Sequence, residues 1–128
     1  MIAASWLLTI VTLGYLLGYW FALPRHMIDP TWPIHARFHL VQAFLWITGL
    51  NAVILILLWE PLQRQEQWSF WTLLVLCIFA QGSHFFAVLA LPKGRPPSRG
   101  NIYDWILGLV LLVYAIGLGW IAKMMGIL

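Results

Sequence analysis

Charge is what this sequence has least of. Asp, Glu, Lys and Arg make up 9% of its 128 residues, too small a share to cover the surface of a water-soluble globule. Polybasic runs are missing too: the formal charge of +3 is spread over loops and segment ends, so nucleic acid is not an expected partner. There is one cysteine, Cys77, which excludes an internal disulfide and leaves the redox compartment unread. No Lys or Arg precedes the first apolar stretch and no small-residue cleavage pattern follows a short hydrophobic core, so that stretch reads as a retained helix rather than a signal peptide. Nothing outside the apolar runs is long enough for a separate soluble domain, and no internal repeat is visible.

What is present is hydrocarbon: 62% hydrophobic residues and a mean hydropathy of +0.87. Four apolar runs, about residues 4–23, 34–59, 70–91 and 103–124, each match the ~20 residues a helix needs to cross a bilayer. The expected fold is therefore all-α, a single four-helix transmembrane domain over residues 1–128, multi-pass and embedded in lipid. Arg25, Arg37, Lys93, Arg95 and Arg99 fall on one side of such a bundle and Arg64 and Lys123 on the other, a bias that favours both termini outside. Pro24, Pro30 and Pro33 bound a first connection expected to be non-helical, with Pro33 in the opening turn of helix two. Glu60 and Pro61 close that helix, and Pro92, Gly94, Pro96, Pro97 and Gly100 exclude helix until about Asn101, whose side chain is placed to cap helix four. Gly14 and Gly18 in helix one, and Gly108, Gly117 and Gly119 in helix four, suit close helix packing within a protomer or between protomers.

The polar residues inside these runs are not evenly spread. His35, His39 and Gln42 recur at helical spacing on one stripe of helix two, and Cys77, Gln81 and His84 do so on helix three. At 1.5 Å per residue His39 lies about 9 Å beyond Pro33 and His84 about 12 Å before Pro92, which brings them to similar depth in antiparallel helices. Tyr15 and Tyr19 approach from helix one, and Tyr103 with Asp104 open helix four beside them. The opposite end offers Thr12, Asn51 and little more. Ordinary roles stand beside the functional ones. A buried imidazole can bridge two helices, His35 and His26 can be solvated, and Gln42 and Gln81 can be interhelical glue. Arg37 can snorkel to headgroups or hold an acidic group such as Asp104, and Asp104 suits the positive end of its helix. Most of the nine Trp residues suit interfacial belts.

Ionisable residues within apolar spans nonetheless mark a functional site by default. Neutral imidazole binds iron, zinc and copper, and a histidine facing an apolar slot suits haem, with basic residues such as Arg37 and Arg25 where propionates would end. Two histidines would fill both axial positions and suit electron transfer; one leaves a face open for a substrate. Zinc or non-haem iron held by His35, His39, His84 and Asp104 is a further arrangement.

The segment Trp32-Pro33-Ile34-His35-Ala36-Arg37-Phe38-His39 resembles the Ala-Arg-x-His opening of the second helix in styrene oxide isomerases, small four-helix membrane enzymes. The order of parts is similar as well, down to an Asp at the start of the last helix, here Asp104. The resemblance implies a haem b with His39 as axial ligand to the metal, a ferric iron acting as Lewis acid on an epoxide, and a homotrimer. On this reading Arg37 and His84 flank the cofactor, Gln81, Tyr103 or Asp104 orients an oxygen, and the substrate is a small apolar molecule drawn from the lipid bilayer, with a bacterial inner membrane as the expected location. Two other functions stay open: a bis-histidine electron-transfer subunit using His39 and His84, and a non-enzymatic small subunit of a larger membrane complex.

Overall fold

A computed structural model of the chain describes the backbone of residues 1–90 and 100–128, with side chains for all of these except 26, 84, 85, 87–89 and 100–104. Four helices follow one another: α1 (Ile2–Ile28), α2 (Ile34–Trp59), α3 (Gln67–Ala90) and α4 (Gly100–Met124). No strand occurs among the described residues. Each helix packs on its neighbours in sequence, and α4 closes on α1. The pairings fix the direction: Ser5 and Thr9 of α1 meet Gln63 and Trp59, while Met1 and Thr12 meet Met124 and Tyr114. Numbers that rise along one helix fall along its partner, so the bundle runs up, down, up, down.

The α2 boundaries agree with the apolar run. Helix α1, however, continues to Ile28 with Pro24 inside it, which corrects the expectation that Pro24 ends it. Proline forfeits the N–H that would reach Trp20 but holds a φ that a helix accepts, so one bond is lost and the last turn survives. The stop comes from Asp29, whose extended ψ of 114° is what the following Pro30 demands of its predecessor. Helix α3 starts at Gln67, three residues before the apolar run, because Ser69 donates to the Glu66 carbonyl through both its amide (3.0 Å) and its hydroxyl (2.6 Å). Helix α4 starts at Gly100, which puts Asn101 within its first turn instead of before it.

At its other end α4 closes with two bonds, Gly126 N–H to the Lys123 carbonyl (3.3 Å) and Ile127 N–H to the Ala122 carbonyl (2.9 Å). Gly126 sits at φ +68°, the left-handed conformation such a cap requires and that a side chain would strain. The core, from Leu8 through Ile54, Leu58, Leu62 and Leu73 to Ile121, lies toward the end that holds the termini and the α2–α3 turn. Gly117 marks its tightest seam, since a Cβ there would come within 2.6 Å of Leu8 Cδ2. Gly14, Gly18, Gly108 and Gly119 meet nothing of the kind within the protomer.

The outside is apolar. Trp6, Phe21, Trp46, Phe79, Trp105 and Leu109 are each more than half exposed, a distribution that soluble monomers avoid. Three stretches among the described residues, Ile2–Arg25, Ile34–Trp59 and Trp105–Met124, are long and apolar enough to cross a membrane.

Candidate functional site

The site is built where α2 begins. Asp29 folds the connection back on itself: its carboxylate accepts from the Thr31 amide (2.9 Å) and hydroxyl (2.6 Å). Arg37, half-buried one turn into α2, donates from Nε to the Trp32 carbonyl (3.0 Å) and from Nη2 to the Asp29 carbonyl (2.6 Å). The guanidinium fork thus ties the α1–α2 connection to the start of α2, its planar spread of donors reaching two separate carbonyls at once. Arg37 was expected to snorkel to headgroups or to hold a propionate or Asp104; here its described bonds are to the connection.

This connection places Trp32 over a cavity of about 800 Å³ between α1, α2 and α3. The volume is in the ~300–1,000 Å³ range of small-molecule and cofactor sites. Its walls are Tyr19, Ala22 and Leu23 of α1, then His39, Ala43, Phe44, Trp46 and Leu50 of α2, and Phe79, Ala80 and Ser83 of α3. Trp20 meets Phe44 edge-on, ring centroids 4.7 Å apart, stiffening the α1–α2 wall. Polar side chains in the lining are few: Tyr19, His39, Gln42 and Ser83, with the indoles of Trp32 and Trp46.

His39 is held on both sides of its ring. Its Nδ1 lies 3.3 Å from Gln42 Oε1 and its Nε2 3.0 Å from His35 Nε2. A carboxamide oxygen only accepts, so Nδ1 is the donor to Gln42; in the neutral ring the lone pair is then on Nε2, where the His35 Nε2–H can donate to it. A carbonyl holding Nδ1–H is the support that metal-ligating histidines commonly have, and here Nε2 lies against His35. Across the cavity Tyr15 donates to the Tyr19 hydroxyl (3.1 Å), which leaves the Tyr19 proton free for a partner.

Not every residue singled out in the sequence converges here. Gln81, expected to orient a substrate oxygen, is fully buried and turned elsewhere. Its Nε2 donates to Asn51 Oδ1 (2.9 Å) and to the Tyr114 hydroxyl (3.4 Å). The bond to Asn51 also ties α3 to α2 within the bundle core. The side chains of His84, Tyr103 and Asp104 lie outside the described residues. No group of three metal-ligating side chains occurs among the described residues.

The sequence reading passed over a second polar assembly. Thr12, Asn51, Gln81 and Tyr114, one from each helix, are buried together. Tyr114 and Thr12 share a hydrogen bond, Thr12 donates on to the Leu8 carbonyl (2.6 Å), and Asn51 donates to Ile47 (2.7 Å). With the Thr12 proton spent on Leu8, Tyr114 is the donor to Thr12. The four side chains thus form a continuous chain of hydrogen bonds through the core, and Gln81 Oε1 is left as an acceptor without a partner among the described residues. The missed signal was Tyr114 itself, a lone phenol in an apolar run at the depth of Thr12.

Comparison with protein-family models, curated proteins and solved structures returns no match.

Proposed function

We propose that this chain is an integral membrane protein that holds a haem b through His39 and acts as an isomerase on a small apolar, epoxide-like molecule arriving from the bilayer. The observation that carries the reading is the state of His39: a ring fixed by Gln42 so that its Nε2 bears the lone pair, in the wall of an apolar cavity of about 800 Å³. The chemistry of the donor fits the group, since neutral imidazole with its second nitrogen bonded to a carbonyl is what haem iron takes as an axial ligand. Bound ferric iron would supply a Lewis acid for an epoxide oxygen, allowing the ring to open to the isomeric carbonyl compound without net redox change.

The chain's own residues do the rest. Gln42 keeps the proton on Nδ1, and His35 must turn aside for Nε2 to be used. Tyr19, whose oxygen is already occupied by Tyr15, has its proton available to hold a substrate oxygen in the cavity. Phe44, Trp46 and Phe79 exclude water and favour an aromatic guest. Gln81 takes no part, its amide being spent in the bundle core; Tyr103 and Asp104 remain as proposed partners of the oxygen. The exposed apolar belt and the three membrane-length helices support lipid as the surroundings.

The test is optical. Protein purified in detergent and supplied with hemin is expected to show a Soret band and one iron per chain, both lost in His39→Ala. It should then convert a small aryl epoxide to its carbonyl isomer without added oxidant or reductant. Colourless protein that takes up no hemin would end the proposal.

A further inference from the structure

We propose that His35 and His39 together form a chelate for a divalent transition-metal ion of tetragonal preference, copper(II) or nickel(II), at the Pro33 end of α2. The two Nε2 atoms are 3.0 Å apart and the rings stand at 90° to one another. Two lone pairs repel at that distance, so the space between them must be shared by a proton or by a cation. With metal–nitrogen bonds of ~2.0–2.1 Å, two ligands at right angles are separated by about 2.8–3.0 Å, whereas tetrahedral ligands stand about 3.3–3.4 Å apart. The observed spacing is that of adjacent corners of a square, the geometry copper(II) and nickel(II) favour and structural zinc does not.

The helix supplies this spacing directly. Residues four apart lie one above the other on the same face, so closing the chelate requires no backbone movement. Gln42 adds the supporting contact, its carbonyl keeping the His39 proton on Nδ1. Both imidazoles are exposed, which leaves the remaining corners of the square to water. No third His, Cys, Asp or Glu joins them among the described residues, so this is a two-point site, weaker than a closed one.

The chelate uses the same Nε2 lone pair that would bind haem. If the haem reading holds, the two occupants exclude one another, and a divalent ion taken up by the haem-free protein blocks loading. That exclusion rests on the proposed function; the chelate does not.

The experiment is a titration of haem-free, detergent-purified protein with copper(II) sulfate, read by calorimetry and by the nitrogen couplings in the paramagnetic resonance spectrum. One ion per chain coordinated by two imidazoles is expected, with the dissociation constant raised by about tenfold or more in His35→Ala and in His39→Ala. Hemin uptake, measured in parallel, should persist in His35→Ala and vanish in His39→Ala. Copper binding that is equal in wild type and in the double variant, or a spectrum without two imidazole nitrogens, overturns the chelate whatever hemin does. Failure of hemin uptake with the copper result intact removes only the haem reading.

Discussion

Among single residues, the cost of a polar group depends on what its neighbours are left holding. Tyr114→Phe removes a hydroxyl whose partners each keep another bond: Thr12 still donates to Leu8 and Gln81 still reaches Asn51. The expected loss is about 0.6–1.7 kcal/mol, as for other interhelical hydrogen bonds in apolar surroundings. Asn51→Leu is worse, because Gln81, whose Oε1 already lacks a partner among the described residues, then keeps only the long bond to Tyr114. About 1–3 kcal/mol is expected there. Unfolding in mixed detergent micelles should rank the two in that order; equal losses would mean that the hydrogen-bonded chain does not exist as described. The His35–His39–Gln42 stripe was readable from the sequence because all three residues sit on one helix, where spacing alone decides who meets whom. Gln81 was not. Its neighbours come from other helices, and helical spacing says nothing about how a stripe is rotated or how far its helix is shifted against the next.

For the helices themselves, existence was legible and boundaries were less so. Four apolar runs of membrane length became four helices, and α2 has the ends read from Pro33 and Glu60. Pro24 misled because a proline near the end of a helix removes one bond without ending it; the pair Asp29–Pro30 is the true stop. The glycine-rich faces were legible as packing sites only in general. Gly117 is the one of those singled out that the protomer packs tightly, against Leu8. Gly117→Leu is accordingly expected to cost about 1–3 kcal/mol by overpacking the α1–α4 seam, while the same change at Gly14, with open space around it, should be nearly silent. Thermal unfolding of the two variants in one detergent separates these outcomes, and equal midpoints would refute the seam.

Seen as one body, the bundle is fastened unevenly. The bonds between helices among the described residues, including Trp59 to Thr9, Gln63 to Ser5, Met1 to Met124, Tyr114 to Thr12, and Gln81 to both Asn51 and Tyr114, lie between the terminal end and the middle. Beyond them, the start of α2 is joined to the rest by the Arg37 fork to its own connection and by apolar contact around the cavity. Amide hydrogen exchange in detergent should therefore be faster in the first three turns of α2 than in the last three, and uniform protection along α2 would contradict this. The arrangement has a mechanical meaning. Among the described residues, helices stitched together at one extremity and joined chiefly by apolar contact at the opposite one behave as tweezers do: the tips can part while the joint stays shut. A bulky guest sliding in sideways beside His39 would sever none of the stitches, so admission would cost only the apolar contacts it replaces with its own.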